Sequence, residues 1–120
     1  MQLDLLSLQL HFDDFWVWLA LNATHFRPRV VVIHYNSHIP PNKARTVRQD
    51  AIGRWDGRTN YYGASLGALV ILAASKGYSV VYCESHGCNC FFVRNDELGF
   101  DDCEAFGWLS RHDGALCCQK

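Results

Sequence analysis

The stretch that decides the fold is Trp55–Arg94, which reads WDGRTNYYGASLGALVILAASKGYSVVYCESHGCNCFFVR. Apolar side chains at helical spacing follow its polar, Gly-punctuated beginning and predict a helix over Tyr61–Lys76. Asn60 is suited to cap this helix, and Gly77 stands where helices commonly end. The stripe expected to face the core is Leu66, Leu69, Val70 and Ala73.

The rest of this stretch predicts a pair of strands. Ser79–Cys83 and Cys90–Arg94 are rich in β-branched and aromatic residues, and only Glu84–Asn89 separates them. A connection this short joins antiparallel neighbours, so we expect a hairpin.

The first third of the chain predicts a βαβ unit. Leu3–Leu10 is nearly continuous in apolar side chains, and Arg29–Asn36 contains four consecutive β-branched residues, Val30–Ile33. Both patterns are typical of parallel strands covered on both faces. Asp13 or Asp14 can cap the helix between them. Its expected core face is Phe15, Trp18 and Leu19. The predicted fold is therefore α/β, a partial Rossmann-like sheet: two parallel strands with a crossover helix, then a helix and an antiparallel hairpin.

Length and composition exclude several classes of protein. A chain of 120 residues is one domain, and 49% hydrophobic residues are enough for a packed core. A net charge of -1 offers no electrostatic footprint for nucleic acid or an anionic membrane. The first residues lack the basic segment and cleavage site of a signal peptide, so a cytoplasmic location with reduced cysteines is expected.

The segment Ser37–Asn60 is expected to be a long loop. It contains Pro40-Pro41 and lacks a hydrophobic period. It follows the carboxyl end of the second predicted strand, where open α/β sheets bind their ligands.

Motifs spread along most of the chain resemble a known family. The segments DLLSLQLHFDDFWVW, RPRVVVIHYNSHIPP, TV, WDG, YYGASLGALVILAASKGYSVV and NCFFVR occur in this order between residues 3 and 98. In this order they resemble the C-terminal half of an uncharacterised, FkbM-related, S-adenosylmethionine-dependent methyltransferase-like family. The resemblance implies that the four strands are the last four of a seven-stranded Rossmann sheet, the final one antiparallel.

The same resemblance implies what the chain lacks. No Gly-rich βα turn precedes Leu3, so residues 1–98 correspond to the C-terminal half of the domain and 99–120 to a partly ordered tail. Gln9–Asp14 differs from the Asp-Ile-Asp-Gly-Asn-Asp typical of such relatives, and His34 stands where a relative carries Glu, whereas Asp14 and Asn36 match. The family's cofactor is S-adenosylmethionine; we expect this chain alone to bind none.

Polar residues near the predicted strand ends and helix start form a candidate ligand cleft. They are His11, Asp13, Asp14, His34, Asn36, Tyr62, Gly63 and Ser65. The start of the helix could also accept an anion, helped by Arg45, Arg48 and Arg58; the alternative is that these arginines belong to a solvated basic loop.

Two weaker patterns are open to other interpretations. One possible metal site is His11 and His34 with a carboxylate, although histidines can also be merely tolerated at strand ends. The other is Cys83, His86, Cys88 and Cys90, whose spacing is not a standard zinc pattern and whose cysteines can instead serve as small apolar residues. Gly63–Gly67 fits the Gly-x-Ser-x-Gly nucleophile elbow, with Asp101 or Asp102 and His112 following, but no apolar strand precedes it. A helix start is the favoured interpretation of Gly63–Gly67.

Three functions follow as hypotheses, and the last of them is a metal-binding domain that uses the ligands named above. The first is a fragment of a methyltransferase-like protein that lacks methyl transfer on its own. The second is a small non-enzymatic module that binds an anion or a protein partner. An open sheet edge at Leu3–Leu10 would allow self-association or completion by a missing N-terminal half.

Overall fold

Four strands form one mixed sheet with two helices packed against it in the computed structural model of the chain. The structure describes residues 3–22, 24–49 and 54–99. The elements in chain order are β1 (Leu5–Leu8), α1 (Asp14–Ala20), β2 (Val30–His34), α2 (Leu66–Lys76), β3 (Tyr78–Cys83), β4 (Asn89–Arg94) and a 3₁₀ turn (Asn95–Leu98). The predicted α/β class is confirmed. The tail from residue 100, with the candidates Asp101, Asp102 and His112, lies outside the described residues.

The sheet order is β1-β2-β4-β3. β1 and β2 are parallel, with Leu5 opposite Val30 and Leu8 opposite Ile33. β4 lies between β2 and β3 and is antiparallel to both. The predicted parallel pair and the predicted hairpin are therefore both present.

The first strand is shorter and more exposed than predicted. β1 covers four residues rather than the whole of Leu3–Leu10, and Leu5 is 58% exposed whereas Leu8 is buried. Within the described residues β1 pairs with β2 alone, so it is an outer strand of this sheet. The expectation that both its faces are covered is wrong.

The core lies between the helices and β2, β3 and β4. Val31, Ile33 and Phe92 are completely buried, and the indole of Trp18 packs 5.2 Å from the ring of Phe92. The predicted core face of α1 is correct for Trp18 but wrong for Leu19, which is exposed. Burial of these large side chains provides most of the driving force for folding.

Helix α2 begins later than predicted. It starts at Leu66 with Ser65 as N-cap, not at Tyr61 with Asn60 as cap. The preceding backbone pairs with the loop instead: Val47 donates its N–H to the carbonyl of Gly63, and Ser65 donates to that of Arg45. A chain bonded in this extended bridge cannot also make helical hydrogen bonds. The helix ends as predicted at Gly77, whose φ is +83°.

The predicted loop is confirmed over its described residues, which form turns and the single bridge between Thr46 and Ala64. Among the described residues, none of the helices has the length and apolar character needed to cross a membrane.

Candidate functional site

Two histidines meet at the carboxyl ends of the parallel strands. His11 follows β1 and His34 ends β2, and their ring centroids lie 4.3 Å apart with the planes tilted by 60°. His11 has a φ of +67°, which is uncommon for a residue other than glycine. His11 is exposed and His34 is buried. The sequence therefore predicted correctly that these two residues lie together.

The environment of His34 favours a neutral ring. Burial, with a smaller contribution from His11, lowers the pKa of His34 to about 4, although Glu84 acts in the opposite direction. Its Nδ1 is buried and has no hydrogen-bond partner among the described residues. At neutral pH His34 thus presents an uncharged imidazole with one unused hydrogen-bonding atom.

Asp14 is buried and does not line an open cleft. It is completely buried, and its Oδ1 accepts the N–H of Leu10 at 2.9 Å. Its Oδ2 is buried without a partner among the described residues, and burial raises the pKa of this carboxyl. Asp13 is exposed and makes no side-chain cap bond, although it occupies the N-cap of α1 as predicted. Asp14 therefore fixes the turn that carries His11.

Asn36 joins β2 to the distant end of the loop. It is completely buried, and its Nδ2 donates to the carbonyls of Asn60 at 2.8 Å and Tyr62 at 3.0 Å. Its Oδ1 accepts the N–H of His38 at 3.0 Å. The Nδ2 group donates two hydrogen bonds and the Oδ1 atom accepts one, so the amide of Asn36 is engaged in holding the loop. Asn36 therefore positions the cleft and does not react in it.

Tyr62 is the centre of an aromatic cluster. Its ring centroid lies 5.8 Å from that of His34, 4.6 Å from that of Trp55 and 6.3 Å from that of His38. Burial raises the pKa of Tyr62, so the phenol stays protonated at neutral pH. Trp55 and His38 lie in the irregular loop, where no hydrophobic period could indicate these contacts.

A cavity of about 510 Å³ opens beside this cluster. Tyr62 and Gly63 belong to its lining, whereas His11, His34, Asp14 and Asn36 do not. Its full lining is Ile39, Arg45, Thr46, Val47, Thr59, Asn60, Tyr61, Tyr62 and Gly63. The predicted cleft is therefore divided into two sides. The histidine side contains His11 and His34, the loop side is the cavity with Arg45 and Gly63, and Tyr62 belongs to both.

Ser65 is a structural residue. Its hydroxyl accepts the N–H groups of Ala68 and Arg45 and donates to the carbonyl of Lys43 at 2.6 Å. With the side chain completely buried and the hydroxyl engaged on all sides, the nucleophile elbow is excluded and the helix-start interpretation is supported.

The start of α2 is also covered by the chain itself. A Cβ at Gly67 would lie 2.5 Å from the carbonyl oxygen of Pro41 and 2.9 Å from that of Lys43. These backbone oxygens disfavour an anion at the first turn of α2. Arg45, Arg48 and Arg58 are exposed, and of these only Arg45 lines the cavity.

His11 and His34 come together, but within the described part of the chain neither candidate set brings three metal ligands to one place. No group of three His, Cys, Asp or Glu side chains suited to a metal ion occurs among the described residues. Cys83 and Cys90 contact each other, whereas Cys88 and His86 are exposed in the turn between their strands.

Comparisons with protein-family models, curated proteins and solved structures found no match.

Proposed function

We propose that this chain is the closing part of a methyltransferase-like Rossmann sheet and that it does not transfer methyl groups on its own. The position of β4 carries the proposal. The sequence resemblance implies a last strand antiparallel to the others, and β4 is antiparallel to both of its neighbours.

The polar groups at the strand ends support a ligand site in the same place. Ligands of open α/β sheets bind outside the carboxyl ends of the parallel strands. His11 and His34 lie there, at the ends of β1 and β2. In a completed protein this edge would face the molecule that accepts the methyl group.

The low pKa of His34 limits its chemical role. A general base works best with a pKa near the working pH, and a pKa of about 4 makes this imidazole a weak base at neutral pH. We therefore propose that His34 orients a ligand through a hydrogen bond and does not abstract a proton from it.

The outer strand supports completion by another segment. Leu5 is exposed, and β1 pairs on one side alone within the described sheet. Edge strands with exposed apolar residues are sites for pairing with further strands. A cofactor-binding half, carried by the same gene or by a partner, would add its strands at this edge.

Isothermal titration with S-adenosylmethionine tests the proposal in two arms. The 120-residue chain should show no binding at micromolar concentrations. A longer protein, extended by the in-frame coding sequence upstream of the Met1 codon, should bind the cofactor. Micromolar binding by the 120-residue chain would contradict the proposed incapacity. If the in-frame coding sequence upstream of Met1 encodes no strand followed by a Gly-rich turn, the proposal that the same gene supplies the cofactor-binding half is contradicted.

The cavity favours a second candidate, a non-enzymatic module for a small aromatic anion. Arg45 could pair with a carboxylate, and Tyr61 and Tyr62 offer aromatic surface beside it. Titration with benzoate, followed by NMR, should shift the backbone signals of Thr46 and Gly63. The Arg45→Gln variant should lose these shifts, whereas Arg58→Gln, outside the lining, should retain them.

A further inference from the structure

Two cysteines face each other across the β3–β4 hairpin. Cys83 and Cys90 are direct partners in the antiparallel register, and their Sγ atoms lie 2.7 Å apart. Both side chains are buried, Cys83 being 8% exposed and Cys90 completely inaccessible. The chain therefore holds two sulfurs together at a fixed place in the sheet.

The strand register brings these residues as close as antiparallel neighbours come. Glu84 donates its N–H to the carbonyl of Asn89, so this next pair along the hairpin is a hydrogen-bonded one. Since the two kinds of pair alternate, Cys83 and Cys90 form a non-hydrogen-bonded pair, for which Cα atoms are about 4.5 Å apart. That separation falls within the range that disulfides span.

We propose that Cys83 and Cys90 are an oxidisable pair that forms a cross-strand disulfide. Hydrogen peroxide is the oxidant. It converts one thiol to a sulfenic acid and releases one water; the second sulfur then attacks the first, the S–S bond forms, and a second water leaves. The two electrons lost by the sulfurs reduce the peroxide, so atoms and charge balance.

The bond would fix the turn that borders the histidine side of the cleft. Tyr35, next to His34, donates its N–H to the carbonyl of Cys88 at 2.9 Å. Asn89 pairs with His34 in the sheet, and Gly87 packs against the side chain of Ser37. A link between Cys83 and Cys90 closes the loop that contains these contacts, and the oxidised protein has a more constrained cleft wall.

Peptide mapping of the full chain tests the pairing. The protein is treated with hydrogen peroxide, its remaining thiols are alkylated, and it is cleaved after Lys, Arg and Glu. The peptides Gly77–Glu84 and Ser85–Arg94 should then appear as one species, lower in mass by two hydrogen atoms than their sum. Reduction should separate them.

Matched serine variants identify the partner of Cys83, because Ser85–Arg94 contains both Cys88 and Cys90. Cys88→Ser should retain the linked species and Cys90→Ser should lose it. A link that persists in Cys90→Ser and disappears in Cys88→Ser would overturn the proposal. So would alkylation of both Cys83 and Cys90 in peroxide-treated protein.

A thermal measurement reports the consequence for the fold. Closing the hairpin loop should raise the Tm of the oxidised protein by at least about 5 °C over the reduced protein. The same rise should occur in Cys88→Ser and be absent in Cys90→Ser. An equal Tm for oxidised and reduced Cys88→Ser would contradict the proposed constraint.

Discussion

The imidazole of His34 is in contact with that of His11, with the two ring centroids 4.3 Å apart. His11 is exposed and His34 is buried. Two imidazoles in contact cannot both carry a proton at low cost, and burial places the cost on His34. Protonation of this pair at low pH should therefore destabilise the fold at the carboxyl ends of the parallel strands.

This coupling predicts a loss of stability in acid. The pKa of His34 is about 4 in the folded protein, below the ordinary 6.5, so the unfolded chain takes up the proton first as the pH falls. The stabilising contribution is complete above pH 6.5 and is lost as the pH falls toward 4. Between pH 7 and pH 4.5 the free energy of unfolding should decrease by about 2–3 kcal/mol through this group.

Urea denaturation of the wild type and of His34→Gln at both pH values measures this contribution. The variant should lose less stability on acidification than the wild type. Asp14, whose pKa is raised by burial, contributes with the opposite sign in acid, but it is present in both proteins and cancels in the difference. Equal losses in the two proteins would show that His34 titrates normally.

Asn36→Ala tests the joint between β2 and the loop. The substitution leaves the carbonyls of Asn60 and Tyr62 and the N–H of His38 without their partner. A decrease of about 2–4 kcal/mol in the free energy of unfolding is expected, because three hydrogen bonds are lost at a completely buried side chain. Asn36→Asp should cost a comparable amount, since a carboxylate cannot donate to carbonyls.

The control for this prediction is Asn22→Ala. Asn22 also uses its Oδ1 locally, accepting the N–H of Thr24 at 2.7 Å, but it is exposed. Its replacement should change stability by no more than about 0.5 kcal/mol. Urea denaturation measures the free energy of unfolding of each variant. A loss for Asn36→Ala as small as that for Asn22→Ala would contradict the claim that Asn36 holds β2 and the loop together.

Local sequence pattern predicted the elements that depend on neighbouring residues. The hairpin follows from two β-rich segments with a short connection, and its registered pair Cys83–Cys90 ends one segment and begins the other. The parallel pairing of β1 with β2 follows from the order of strand, helix and strand. These features need no information from distant parts of the chain.

Contacts between residues far apart in the chain determine the start of α2 and the packing of the loop, which the local sequence pattern could not predict. The residues after Asn60 look helical, but Asn36 and the bridge between Thr46 and Ala64 hold them extended. The ring of Trp55 meets Tyr62 through a loop without periodicity. No local preference reports such competition, so the helix start and the contacts of Trp55 and His38 with Tyr62 were not predicted.

Ser65→Ala tests the structural assignment of the serine. The variant loses the cap of α2 and the bonds that tie the loop to it, with an expected cost of about 2 kcal/mol in urea denaturation. Ser75→Ala, at an exposed position of the same helix where the hydroxyl bonds the carbonyl of Leu72, should be nearly neutral. Labelling of wild-type Ser65 by a fluorophosphonate probe would contradict the assignment.

Gly67→Ala provides a test in which two effects have opposite signs. In an ordinary helix interior this change stabilises by about 1 kcal/mol, because glycine is a poor helix former. Here the new methyl group would lie 2.5 Å from the oxygen of Pro41 and 2.9 Å from that of Lys43, and both are backbone atoms that cannot rotate away. The displacement should cost about 1–3 kcal/mol, so a net destabilisation is expected. The Tm of Gly67→Ala is compared with the Tm of the wild type and of Ile71→Ala, a control substitution at an exposed position of the same helix. A Tm of Gly67→Ala at or above that of the wild type would show that the loop does not cover the start of α2.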